Sequence, residues 1–132
     1  MLLKKLLFPD QSRGFYGKRW LDIILRTIHL MGLLGISGGI IFNAEESLWQ
    51  PYFMITMISG LAMVFLSLWS HGKWILQNRG LAIIVKLIML ALLPVFPDYG
   101  LYILLTIVLI SGISSHAPAK FRYYSPILGR EI

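Results

Sequence analysis

Apolar residues fall into four long runs, about Leu21 to Phe42, Tyr52 to Ser70, Leu81 to Phe96 and Gly100 to Ser115, with polar and charged positions gathered between them. Each run is near the ~20 residues that a helix needs to cross the hydrocarbon core of a bilayer, and the last two are short enough to stand nearly upright. None shows the alternation of a membrane barrel strand, and backbone groups in lipid must bond within their own segment, so the runs predict helices. The pattern therefore predicts one all-α integral membrane domain over residues 1–132, an up-down bundle of four transmembrane helices. It leaves an interfacial segment at 1–20, a tail at 116–132 and no room for a soluble domain.

The residues between the runs orient the bundle. Lys4, Lys5, Arg13, Lys18 and Arg19 precede the first run, Lys73 and Arg79 separate the second from the third, and Lys120, Arg122 and Arg130 follow the fourth. The two remaining connections, Asn43 to Pro51 with Glu45 and Glu46, and Pro97-Asp98-Tyr99, carry no basic residue. By the positive-inside rule both termini are expected to be cytoplasmic. Leu6-Leu7-Phe8 is too short for a signal-peptide core, so the N-terminal segment is expected to stay on the mature chain. Leu2, Leu3, Leu6 and Leu7 beside Lys4 and Lys5 predict a short interfacial helical turn ended by Pro9, with Phe15, Tyr16 and Trp20 in the aromatic belt.

Composition agrees with lipid as the main solvent: of 132 residues 57% are hydrophobic and only 14% charged, too apolar for a soluble chain of this length. The net charge of +6 sits at segment ends and forms no basic stripe with interleaved aromatics, which argues against nucleic acid. The absence of cysteine excludes disulfides, thiolate metal sites, iron–sulfur clusters and covalent c-type haem. Paired intramembrane carboxylates, a Gly-x-Ser-x-Gly turn and a phosphate-binding glycine loop are also missing from the sequence, so hydrolysis has no candidate residues.

The candidate chemistry lies in the histidines. His29, His71 and His116 all fall toward the cytoplasmic ends of their helices, where an up-down bundle brings them to similar depth. His29 shares a face with Gly32, Ile36 and Gly39, with Gly35 beside it; His71 shares one with Gly60, Val64 and Ser67, and Gly112 precedes His116 by one turn. Imidazoles on small-residue faces of a four-helix bundle suit b-type haem, and such a groove admits either a flat macrocycle or a neighbouring helix. The plainer alternative is that the glycines serve helix packing and the histidines face headgroup water. His71 comes further inward if its helix continues through Lys73-Trp74-Ile75-Leu76.

Arg26 and Lys86 are charged positions within the runs, where an unpaired ionisable group costs ~3 kcal/mol or more. Arg26 has Asp22 one turn away for a local ion pair, and Lys86 can snorkel; alternatively both, with Arg122, pair with haem propionates or a quinone headgroup. The stretch from Ser114 to Tyr124 combines a polar helix end, Pro118 and basic and aromatic residues. It either folds over the mouth of the bundle or anchors at the interface, where Trp69, Trp74, Tyr123 and Tyr124 would also serve. Met54 and Met57, one turn apart near the outer end of the second run, offer thioethers for Cu(I) or simply pack.

Arg26-x-x-His29, Trp69-Ser70-His71, Lys86 and His116, on this hydropathy profile, resemble the small four-helix bacterial membrane proteins grouped around the copper-resistance protein CopD and b-type cytochromes. The resemblance implies haem or copper handling and, by extension, electron transfer involving a quinone pool. The expectation is a small redox protein holding haem b near the cytoplasmic side. His29 and His71 are the first candidate axial ligands, with His116 as substitute, and Arg26, Lys86 and Arg122 face the propionates. The alternatives are a non-catalytic subunit or assembly factor of a larger membrane complex, and copper transport.

Overall fold

The structure, a computed structural model, describes residues 2–9, 11 and 13–132; positions 1, 10 and 12 of the interfacial segment lie outside the described residues. A short α1 (Leu2–Leu7) precedes α2 (Lys18–Ile41) and α3 (Glu46–Ser70). A 3-10 turn (Gly72–Leu76) leads into α4 (Asn78–Leu92), and a second (Pro97–Tyr99) into α5 (Gly100–His116). The chain closes with α6 (Ala119–Arg122) and a minimal antiparallel hairpin of β1 (Tyr124–Ser125) and β2 (Arg130–Glu131). Lys18–Ile41, Glu46–Ser70 and Pro97–His116 are long and apolar enough to cross a membrane. With 15 residues, α4 is shorter, about 22 Å at ~1.5 Å per residue.

Local chemistry sets the ends. Gly17, at φ 87°, makes the left-handed entry into α2, a conformation that costs glycine little. Asn43 turns the chain at φ 52°, and α3 begins within three residues of it. The second apolar helix thus starts at Glu46 rather than near Tyr52, and takes in Glu46 and Pro51, expected in the turn. Glu46 in the first turn complements the positive end of the helix dipole, and Pro51, in the second turn, removes one hydrogen bond from the ladder without ending the helix. Pro94 and Pro97 follow α4, and Pro118 forces Ala117 out of helical geometry after α5.

The helices associate as two hairpins of unequal quality. α2 runs along α3 for most of its length and α4 along α5, while α2 touches α5, and α3 touches α4, over short stretches. The α2–α3 seam is made by glycine. A Cβ on Gly32 would strike the Thr56 hydroxyl and stand 2.9 Å from the Tyr52 carbonyl, one on Gly35 would enter the Tyr52 ring, and one on Gly39 would lie 2.6 Å from Trp49 Cβ. The groove along these glycines is therefore filled by α3, the close approach that small residues permit in lipid.

The two hairpins meet closely at only one end. Ile36, Trp49, Leu90, Leu93, Leu104 and Ile107 form a buried cluster toward the Phe42–Glu45 and Leu93–Tyr99 connections, and Gly100 lets Ile40 and Leu93 close over the start of α5. Outward side chains such as Leu34, Phe65 and Leu109 are exposed, as a lipid-facing surface requires. At the other end both terminal segments dock on the α3–α4 connection. The Arg13 guanidinium donates to the Trp69 carbonyl (3.0 Å) and the Lys5 carbonyl (3.1 Å), Ser70 Oγ donates to the Arg13 carbonyl (2.8 Å), and Gln77 Nε2 donates to the Ile132 carbonyl (3.1 Å). The expected turn at Leu2–Leu7 is present with Leu2, Leu3 and Leu6 outward, and Phe15, Tyr16 and Trp20 are exposed.

Candidate functional site

Opposite the packed end, the two hairpins enclose a cavity of about 690 Å³, within the usual size of a small-molecule site. Its walls are mainly apolar, from Leu33, Val64, Leu87, Leu90 and Ile107, and its polar groups are Arg26, His29, Ser67, Trp74, Lys86, Ser111, Ser115 and Arg122. None of the lining residues is an aspartate or glutamate.

His29 projects from α2 across the seam. Its Nδ1 lies 2.9 Å from the Thr56 carbonyl and 3.2 Å from Ser59 Oγ. A carbonyl only accepts, so Nδ1 carries the proton and Nε2 keeps its lone pair. Ser59 already donates to the Ile55 carbonyl at 2.7 Å, which leaves its oxygen to accept from the imidazole. Gly60 makes room for the ring: a Cβ there would stand 3.1 Å from His29 Cε1 and 3.0 Å from Leu87 Cδ2. The ring is thus held by one nitrogen while the other remains available, the arrangement that orients an imidazole toward a metal or a donor.

The three cations reach the cavity from three elements. Lys86, on α4, is half-buried and donates to Ser111 Oγ of α5 at 3.1 Å, a contact that leaves its charge uncompensated. Arg26, on α2, is exposed at the mouth. Its expected partner Asp22 pairs instead with Lys18 at 2.9 Å, since Lys18 occupies the other neighbouring turn. Arg122 arrives from the C-terminal segment, which does fold over the mouth. Asn78 Nδ2 donates to the Phe121 carbonyl (2.7 Å), and the Arg79 and Arg122 guanidiniums lie 4.8 and 5.6 Å from the centre of the Tyr123 ring.

Trp74 was not expected here. α3 ends at Ser70 instead of continuing through Leu76, His71 is extended at φ −168°, and the 3-10 turn carries Trp74 into the protein, 8% exposed, against Gly80. It is therefore no interfacial anchor. Its indole Nε1 and the Nε of Arg122 are buried without a hydrogen-bond partner among the described residues. Sequence patterning misses this residue because only the break at His71–Gly72 turns it inward. Ser111 and Ser115, one turn apart in an otherwise apolar helix, were a legible signal of a polar face.

The histidines do not converge on the cavity. His29 lines it; His71 and His116 do not. The same break that buries Trp74 makes His71 a cap: its Nδ1 accepts from the Lys73 backbone N–H at 3.0 Å. His116 is exposed at the end of α5. Among the described residues no three His, Cys, Asp or Glu side chains are grouped to hold a metal ion. Met57 packs against the core cluster and Met54 faces outward, 49% exposed.

No protein-family model matches the chain, and neither the curated proteins nor the solved structures include one with significant similarity to it.

Proposed function

We propose that this chain is a small inner-membrane protein that holds an amphiphilic ligand with an acidic head between its two hairpins, haem b being the first candidate. In this reading α4 and the turns to Phe96 supply a fourth crossing. The grouping of ten basic residues on the side of the termini, with Glu45, Glu46 and Asp98 on the other, supports a cytoplasmic position for both termini.

The observation that carries the proposal is the composition of the cavity: Arg26, Lys86 and Arg122 with His29 in an apolar enclosure that has no carboxylate on its walls. Positive charge at membrane depth is costly when unmatched, so an anion brought by the ligand supplies what the walls lack. For haem, His29 Nε2 would hold the iron, while the Arg26 and Arg122 guanidiniums and the Lys86 ammonium would neutralise the propionates. Haem would contribute one-electron chemistry. The residues orient it, shield it from water and compensate its charge. The Thr56 carbonyl, by accepting from Nδ1, fixes the imidazole and leaves Nε2 free.

That only one imidazole lines the cavity favours a second reading, in which the ligand is an iron-free amphiphile such as a quinone or an acidic lipid. A reduced-minus-oxidised spectrum of detergent-purified protein, made with ample haem supply, separates the two. A b-type α band at near-stoichiometric haem, abolished in a folded His29→Ala variant, is the result expected for haem. A colourless, well-folded protein overturns haem, and organic extraction of that sample then tests the second ligand class.

A further inference from the structure

A second cavity, about 340 Å³, lies on the other side of the α4–α5 pair. Leu81, Ala82 and Val85 of α4 face Ile110 and Ile113 of α5 along it, with Phe121 at the same end as Asn78, Arg79, Ser114 and Arg122. The polar group is thus at one end only. From Arg79 to Val85 the helix rises ~9 Å, so the groove descends about two turns from the end that bears the basic residues. Its rim is open to the surroundings: Val85 is 45%, Ile113 59% and Phe121 52% exposed.

The polar end is built for an anion. Arg79 Nε donates to Gln77 Oε1 at 2.6 Å, and its guanidinium rests on Tyr123, which fixes its plane and leaves the outer nitrogens to bind. Lys18–Asp22 is the only salt bridge among the described residues, so neither Arg79 nor Arg122 is neutralised by a carboxylate there. The first turn of α4, Asn78 to Leu81, adds the positive end of a helix dipole at the same spot. An apolar slot with cations only at its headgroup end matches a phospholipid carrying a net negative charge.

We propose that this groove binds one anionic phospholipid, with an acyl chain lying between α4 and α5 and its phosphate at Arg79 and Arg122. The groove lies outside the inner cavity but shares one cation with it, so Arg79 is the phosphate contact that does not depend on what that cavity holds. Arg122 lines both.

Native mass spectrometry of the full chain in mild detergent, equilibrated with phosphatidylglycerol or phosphatidylcholine, tests the proposal. One phosphatidylglycerol should be retained about tenfold more strongly than phosphatidylcholine, the scale of one charge-assisted contact. Arg79→Gln should remove that preference and Arg79→Lys restore part of it. Ala82→Phe, which fills the slot, should lower retention of both lipids; if it fails to fold, Ile113→Trp at the exposed rim serves instead. Equal retention of the two lipids overturns the proposal. So does phosphatidylglycerol binding that ignores the slot-filling variants, which would locate the lipid elsewhere. Displacement by millimolar inorganic phosphate as effective as by phosphatidylglycerol would reduce the site to a bare anion contact.

Discussion

Two interfaces in this protein join the same set of apolar helices and behave oppositely. Between α2 and α3, Gly32, Gly35 and Gly39 admit Thr56, Tyr52 and Trp49, and the backbones close until no ligand could enter. Between the two hairpins, the residues are Arg26, Leu33, Lys86 and Leu87, and the helices stand apart around about 690 Å³. Contacts between helices in lipid gain nothing from the hydrophobic effect and depend on fit. Long and charged side chains therefore leave a space where glycines leave none. Closure defines the fold, and its local failure defines the site.

The comparison predicts effects that differ in sign as well as size. The largest belongs to the seam. Gly35→Leu, which would drive a side chain into the Tyr52 ring, should cost ~3 kcal/mol or more and scramble the α2–α3 pairing, seen as loss of a cooperative melt in detergent. A Gly35→Leu protein that melted like wild type would mean that the seam does not hold the hairpin. Next is Gly60→Val, where seam and cavity meet. Crowding Leu87 and the His29 ring should cost about 1–2 kcal/mol and weaken ligand retention by turning the imidazole.

The smallest effect is the most discriminating. Lys86→Met removes an uncompensated charge from the hollow interface and should leave ligand-free stability unchanged or raise it by ~1 kcal/mol, while reducing binding of an acidic ligand roughly tenfold. Destabilisation of the ligand-free protein by Lys86→Met would show that the Ser111 contact holds α4 to α5, and the cavity would lose its claim to be built for an anion.

The helices were legible because hydropathy records what faces lipid, and the runs at Leu21–Phe42 and Gly100–Ser115 map closely onto α2 and α5. Boundaries were less so. Pro51 reads as a breaker in one dimension, yet it sits in the second turn of α3, which forgoes one hydrogen bond there and continues to Ser70. Of the site, Arg26, His29, Lys86 and Arg122 were picked from sequence and come together on one cavity. His71 and His116 lie at the ends of their helices and do not line it, and for His71 the cause is that α3 ends at Ser70. A single extended residue, His71, also decides the place of Trp74, and no periodicity reports such a break.

The glycine seam has a consequence for how the molecule is made. α2 and α3 leave the ribosome first, and their contacts require nothing from the rest of the chain, so this hairpin can pair as soon as it is in the membrane. The cavity has no existence at that stage; it forms only when α4 and α5 swing in on the 3-10 link at Gly72–Leu76. On the reading proposed above, a ligand present during synthesis would be enclosed by the arriving hairpin rather than threaded into a finished protein. A chain made without it would still be joined at the far end by the cluster of Ile36, Trp49, Leu90, Leu93, Leu104 and Ile107.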